Sequence, residues 1–146
     1  MTSNDVVFGG TEFERFAIEV RGYSYPTRTD ESDGNWLNCR ASVAAGGFRG
    51  SVECSLRAED FEALERSLSK LLDEPRGRAE FTTDEEQVAF RIEGDGLGHF
   101  EVHGEVVEQP GVGNRLRWRI EVDRSQVAAA LRQVRAIKAA VPVRRV

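Results

Sequence analysis

Hydrophobic and polar residues alternate along seven segments of the chain, and a period of two predicts β-strands. Two other segments, 61–72 and 127–137, carry hydrophobic residues three and four positions apart, which is typical of amphipathic helices. The resulting order is βββαββββα. Consecutive hairpins build antiparallel sheets, so this order predicts an α+β fold with a single, twisted antiparallel sheet of about six to seven strands. We expect the two amphipathic helices to cover its apolar face.

The pair Gly46–Gly47 suits a two-residue turn in which both positions have positive φ. This turn sets Ala45 opposite Phe48, and counting along both strands places Cys39 opposite Cys54. The hydrophobic residues of the two strands then share one face. Turn chemistry and hydrophobic pattern therefore predict the same register for this hairpin.

Two further boundaries follow from loop length and capping. A two-residue turn between the fifth and sixth predicted strands would mix the two faces, whereas a three-residue loop over 95–97 sets Ile92 opposite Phe100. The spacing of Asp123 and Gln126 is that of a capping box, so we expect the last helix to begin there.

Length and composition fit one domain. The chain has 146 residues, of which 40% are hydrophobic and 31% charged, as in ordinary globular proteins. We expect a flexible N-terminal arm over residues 1–12, a single α+β domain over 13–140 and a C-terminal tail over 141–146. No apolar run approaches the roughly 20 residues of a membrane span, and the polar start lacks a signal-peptide layout. The sequence thus predicts a cytoplasmic protein without a membrane partner.

The charge balance bears on the kind of partner. The net charge is -5 and the pI is about 5.2, which disfavours nucleic-acid binding, because phosphate contacts need an excess of Lys and Arg. An acidic protein is better matched to a basic partner.

Cys39 and Cys54 would lie directly opposite each other in the predicted hairpin, with α-carbons about 5.5 Å apart. That distance permits a disulfide. Buried cross-strand pairs in cytoplasmic proteins are more often two inert thiols, and we favour this interpretation.

The sixth predicted strand turns four titratable side chains to one face: His99, Glu101, His103 and Glu105. Histidines and carboxylates two residues apart could bind a metal ion. The alternative is a solvated ladder of ion pairs, in which Arg91 and Arg119 flank Glu101 and one register pairs Glu105 with Arg115. We favour the ladder and expect no metal.

The sequence offers no recognised catalytic motif. Neither histidine lies in a nucleophile motif, and the glycines at 94, 96 and 98 lie between two strands rather than before a helix, as a phosphate loop would require. We therefore expect no catalytic residues, no enzymatic activity and no cofactor.

An acidic loop precedes the second predicted strand, and Trp36 begins that strand on its outer face. Counting along both strands from the Gly46–Gly47 turn sets Trp36 opposite Arg57. One interpretation is local stacking of the guanidinium on the indole. The other is an aromatic anchor for a partner beside the loop, since tryptophan and arginine are favoured in binding hot spots.

The chain resembles the WapI-type immunity proteins, which are associated with bacterial wall-associated toxins that carry variable nuclease domains. The resemblance lies in the order of these features: Asn35-Trp36-Leu37, the Gly46–Gly47 hairpin, the helix around Phe61 and Leu64, the strand at Gly98 and the segment Asn114–Asp123. It implies a small cytoplasmic protein that binds and neutralises a cognate toxin, without catalysis or cofactor.

The resemblance and the charge together suggest where a toxin would bind. A nuclease domain presents a basic cleft, which an acidic surface could block. We hypothesise that Asp30, Glu31, Asp33 and Trp36 form the contact, with Asp84, Glu85 and Glu86 as a second candidate. The expected state is a monomer or homodimer. The alternative is a small-molecule or protein-binding module of unknown ligand on the same scaffold.

Overall fold

The computed structural model describes residues 4–145 and has eight strands and two helices in that range. Four strands form the first sheet, called sheet A: β1 (Asn4–Thr11), β2 (Glu14–Tyr23), β3 (Trp36–Ala45) and β4 (Phe48–Arg57). Four others form sheet B: β5 (Arg78–Phe81), β6 (Val88–Gly94), β7 (His99–Gln109) and β8 (Val112–Asp123). The helices are α1 (Ala58–Asp73) and α2 (Arg124–Ala140).

The α+β class and the antiparallel pairing are confirmed, but the single sheet is wrong. Each strand pairs with its neighbour in sequence, and helix α1 separates β4 from β5, so the ladder breaks there. The two sheets pack through aromatic rings. Phe16 of sheet A stacks on Trp118 of sheet B at 4.5 Å and meets Phe90 edge-on at 5.4 Å between ring centroids. Gly104 makes room for this contact, because a β-carbon there would overlap the Trp118 ring.

The predicted flexible arm is also wrong where the structure describes it. Residues 4–11 form edge strand β1, which pairs with β2 and buries Val6 and Phe8 completely. Helix α2 packs along this strand, and Gln133 accepts a hydrogen bond from the backbone of Val7 at 2.8 Å. Tertiary packing thus orders a segment whose hydrophobic run is too short to predict a strand. Residues 1–3 of the predicted arm lie outside the described residues.

Each helix packs against the edge strand of a different sheet: α1 against β5 and α2 against β1, and the two helices contact each other. The spacing predicted most of their buried residues, namely Phe61, Leu64, Leu68 and Leu71 in α1, and Val127, Leu131, Val134 and Ile137 in α2. Leu72 is only half-buried, and the small residues Ala58 and Ala130 are also buried.

The boundaries of α2 follow its caps. The capping box at Asp123 and Gln126 is confirmed by two reciprocal bonds of 2.8 and 2.9 Å. After the helix, residues 141–145 form neither helix nor strand, and Val141 is buried in the core. The predicted tail therefore contacts the domain closely, and residue 146 lies outside the described part of the chain.

The hairpin registers test the sequence interpretation directly. In the β3–β4 hairpin, Ala45 pairs with Phe48 and Cys39 with Cys54, as predicted. In the β6–β7 hairpin, Ile92 pairs with Val102 rather than Phe100, because β6 continues to Gly94. The shift of two residues leaves every hydrophobic side chain on its predicted face, since side chains alternate with a period of two.

Candidate partner-binding surface

The acidic loop connects β2 to β3, and Arg28 forms ion pairs with two of its carboxylates. Arg28 Nε lies 2.7 Å from Asp30 Oδ1, and its Nη2 lies 3.3 Å from Asp33 Oδ2. Asp30 also accepts hydrogen bonds from the Ser32 hydroxyl and from the backbone N–H of Asp33. The Arg28 guanidinium, helped by these donors, holds the pKa of Asp30 well below its usual range. Asp30 and Asp33 therefore shape the loop more than they charge its surface.

Arg57 fixes the tip of the loop to the start of α1. Its guanidinium lies 4.9 Å from the ring centroid of Trp36, so the predicted stacking is confirmed. The same group donates to the carbonyl oxygens of Glu31 and Ser32 at 2.6 and 3.0 Å and forms an ion pair with Glu59 at 3.1 Å. Trp36 is half-buried beneath it. The indole thus has a structural role at this site, and part of its surface remains open to a partner.

Arg144, near the end of the chain, anchors the base of the loop. Its side chain donates to the backbone carbonyls of Tyr25, Pro26 and Gly34. Its backbone N–H donates to Asn35 Oδ1 at 2.6 Å. No local pattern reveals these contacts, because 110 residues separate Arg144 from Gly34.

Glu31 differs from the other two acids of the loop. Its side chain is exposed and, within residues 4–145, forms no ion pair, whereas its carbonyl is fixed by Arg57. Among the described residues, the loop therefore presents one uncompensated carboxylate, on a backbone that Arg57 holds beside Trp36.

The second acidic cluster lies in the turn between β5 and β6. Asp84 and Glu86 are exposed and Glu85 is half-buried, and none of the three carboxylates has an ion-pair partner in the described part of the chain. The turn closes through a bond of 3.1 Å from the Glu86 N–H to the Thr83 carbonyl. Glu86 has a φ of 57°, a left-handed conformation that costs an L-residue on the order of 1 kcal/mol. Among the described residues, no ion pair compensates the negative charge of this turn.

Asp60, in the first turn of α1, links the two clusters. Its carboxylate accepts the backbone N–H of Arg57 at 2.8 Å. Burial, together with the negative charges of Asp84 and Glu59, raises the pKa of Asp60 to about 6. Asp84 is thus within electrostatic reach of the helix start that Arg57 ties to the loop. The acidic loop and Asp84 therefore both lie near the beginning of α1.

A polar cleft lies between the sheets, next to the turn of residues 84–86. Its volume is about 570 Å³, and its lining includes Glu85, Glu108 and the ion pair between Arg21 and Glu53 at 2.9 Å. The buried Gln87 crosses its floor, where the side-chain amide donates to the carbonyls of Glu53, Val107 and Glu108 at 3.1 to 3.3 Å. These bonds tie β4 to β7 and hold Glu85 at the mouth of the cleft.

A known protein family matches most of the chain. The sequence model of the Immunity protein WapI-like family matches residues 7–142. The chain belongs to this family. The match includes both acidic clusters, both helices and most of each sheet, and the resemblance drawn from the sequence is confirmed.

Among solved structures, the chain is similar to one titled "CdiA-CT/CdiI toxin and immunity complex from Enterobacter cloacae". The two superpose with a TM-score of 0.47 and 12% sequence identity, over 88% of this chain and 99% of that chain. No curated protein matches the sequence of this WapI-like family member.

The two cysteines are free and buried, which confirms the interpretation as thiols. Burial raises the pKa of Cys54 to about 12 and moves that of Cys39 in the same direction. The thiolate is the reactive form, so these residues are inert at neutral pH.

The predicted ladder of ion pairs is present on the outer face of sheet B, although its partners differ in part. Glu101 contacts His103 and Arg119 at 3.0 Å, and Glu105 forms an ion pair with Arg115. The predicted register is shifted, because Glu105 lies opposite Arg117. Arg91 pairs with Glu93 at 2.8 Å instead of Glu101. Over residues 4–145, no cluster of three or more His, Cys, Asp or Glu side chains is arranged to hold a metal ion.

Neither α1 nor α2 is long and apolar enough to cross a bilayer.

Proposed function

We propose that this protein is a non-catalytic immunity protein that binds a cognate bacterial toxin and neutralises it in the cytoplasm. The observation that carries the proposal is membership of the WapI-like immunity family over residues 7–142. The toxin domain is expected to be a basic nuclease, because a basic cleft complements a protein of net charge -5.

The proposed contact surface surrounds the beginning of α1. Glu31 and Trp36 contribute from the loop, and Asp84, Glu85 and Glu86 contribute from the turn. Asp30 and Asp33 belong to the same surface, but their pairing with Arg28 gives them the role of holding the loop. A surface with uncompensated carboxylates around a partly open tryptophan combines long-range attraction with a hydrophobic contact.

The proposed mechanism of neutralisation is occlusion. Docking of the acidic surface into the cleft of the toxin would exclude its nucleic-acid substrate, so the immunity protein itself needs no reactive group. Attraction between opposite charges raises the association rate, and salt weakens it because the Debye length is only about 8 Å at 0.15 M ionic strength.

Capture of the partner tests the proposal. The tagged protein is purified from its source cells, after expression of the toxin is induced, and examined by native mass spectrometry at low and at high salt. We expect a stoichiometric complex with a basic toxin fragment that high salt weakens. A complex that resists salt would contradict the electrostatic surface, and the absence of any toxin from cells that express it would contradict the function.

A further inference from the structure

The segment that follows α2 crosses the base of the acidic loop and pairs with it. The backbone N–H of Arg144 donates to Asn35 Oδ1 at 2.6 Å, and Asn35 Nδ2 donates back to the Arg144 carbonyl at 3.1 Å. Asn35 is only 1% exposed, so this reciprocal pair is shielded from water. The Tyr23 hydroxyl adds a hydrogen bond to the carbonyl of Pro142.

The guanidinium of Arg144 then joins the two ends of the loop. Its Nε donates to the Gly34 carbonyl at 2.8 Å, at the end that leads into β3. Its two terminal nitrogens donate to the Pro26 and Tyr25 carbonyls at 2.9 and 3.0 Å, at the end that leaves β2. The group also lies over the Tyr23 ring, 3.7 Å from the centroid. One side chain thus closes the loop at its base.

We infer that residues 142–144 act as a clamp that holds the acidic loop in its partner-binding shape, with Arg144 as the positioning residue. This inference rests on the proposed function. Residues 24–35 contain neither helix nor strand, and a loop of this length is mobile unless other contacts fix it. If the loop is already fixed in the free protein, its conformational entropy is not lost on binding, and the affinity for the partner is higher.

The chemistry requires arginine in particular. The guanidinium is planar and carries five N–H donors in a rigid fork, so it can serve carbonyls on two loop ends and stack on an aromatic ring at once. A lysine ammonium keeps the charge but cannot reproduce the fork. Arg145, the next residue, is exposed and forms one ion pair with Glu62 at 3.1 Å, and it offers a matched control.

Hydrogen–deuterium exchange of the free protein tests the clamp. Arg144→Ala and Arg144→Lys are compared with Arg145→Ala and the wild type. Loss of one charge-assisted hydrogen bond corresponds to roughly a tenfold change in an opening equilibrium, so exchange over residues 24–35 should rise about tenfold or more in both Arg144 variants. Exchange in β7 and β8 should stay unchanged in all three. Unchanged loop exchange in both Arg144 variants would overturn the clamp.

Affinity for the captured toxin fragment tests the positioning role. We expect the dissociation constant to rise about tenfold for Arg144→Ala and Arg144→Lys and to stay unchanged for Arg145→Ala. A loosened loop with unchanged affinity would overturn the positioning role. If the wild type itself fails to bind the toxin, the proposed function falls, whereas the exchange experiment still decides whether Arg144 fixes the loop.

Discussion

The two acidic clusters have similar composition but differ in the charge that they present. In the loop, Arg28 pairs with Asp30 and Asp33, and two further arginines hold the backbone. In the turn of residues 84–86, the described chain supplies no basic partner. The charge of the loop is therefore partly compensated and its backbone is held by arginines, whereas no ion pair compensates the turn in the described part of the chain. Acidic residues in a sequence do not indicate available negative charge until their partners are known.

Under the proposed function, the two clusters would contribute to toxin binding in different ways. The charged turn would attract a basic partner over distance, whereas the loop would place Trp36 and Glu31 for close contact. The turn should then affect association rates, and the loop should affect stability and dissociation.

Charge reversal in the turn should have the largest effect. For the double variant Asp84→Lys/Glu85→Lys, we expect the association rate with the toxin to fall on the order of 100-fold at low salt, because attraction becomes repulsion. Stopped-flow mixing measures this rate. Asp73→Lys/Glu74→Lys changes the charge equally at the opposite end of α1 and is the control. Equal losses in the two variants would show that net charge, rather than the turn, steers the partner.

Removal of the Arg57 side chain should have the next largest effect, which is on the stability of the fold. Arg57→Ala removes the stacking on Trp36 and two charge-assisted hydrogen bonds to the loop. We expect the free energy of unfolding to fall by about 2 kcal/mol, measured by urea denaturation. Trp36 fluorescence should shift to longer wavelength as the indole gains water. A variant as stable as the wild type would contradict the structural role of Arg57.

Neutralisation within the loop should have a smaller effect. Asp30→Asn removes the charge that pairs with Arg28 but keeps the shape of the side chain. We expect a loss on the order of a few degrees in Tm, measured by calorimetry, and an almost unchanged association rate with the toxin. A large drop in association rate would show that Asp30 contacts the partner directly and would erase the contrast with the turn.

The last effect concerns pH, and Asp60 at the start of α1 and Asp30 in the loop should respond with opposite signs. The pKa of Asp60 is raised to about 6, so the folded state binds its proton more tightly than the unfolded chain. The contribution of Asp60 to the free energy of unfolding should therefore fall as pH rises from about 4 to 6. The pKa of Asp30 is lowered, so its contribution is present above about pH 4 and is lost on further acidification.

Urea denaturation across pH 3 to 7 separates the two groups. Asp60→Asn should make the free energy of unfolding less dependent on pH between about pH 4 and 6. Asp30→Asn should do the same below about pH 4. An unaltered profile in Asp60→Asn would contradict the burial of that carboxylate.

The sequence predicted local structure where a short-range constraint determines it. The Gly46–Gly47 turn allows one register, and the capping box marks one helix start, so both predictions were confirmed. The 95–98 connection allows several loop lengths, and the predicted register was shifted by two residues. The number of sheets was not predictable, because hydrophobic and polar residues alternate in the same way whether a strand packs against a helix or against a second sheet.

The acidic residues of the candidate site can be identified in the sequence, but the groups that compensate their charge cannot all be identified there. Asp30, Asp84 and their neighbours stand out as acidic runs in the sequence. The neutralising role of Arg28 was open to inference from its position two residues before Asp30. The contacts of Arg144 were not, because they join residues that are 109 to 119 positions apart in the chain. Only the folded structure shows that its side chain closes the loop.

Titration of the catalytic activity of the toxin tests the central claim most directly. The purified toxin domain, captured with this protein, is assayed on its nucleic-acid substrate with increasing amounts of the wild-type protein at low salt. We predict a linear loss of activity that ends at a stoichiometric ratio, with Asp84→Lys/Glu85→Lys far less effective. Full nuclease activity in the presence of excess wild-type protein would contradict the account.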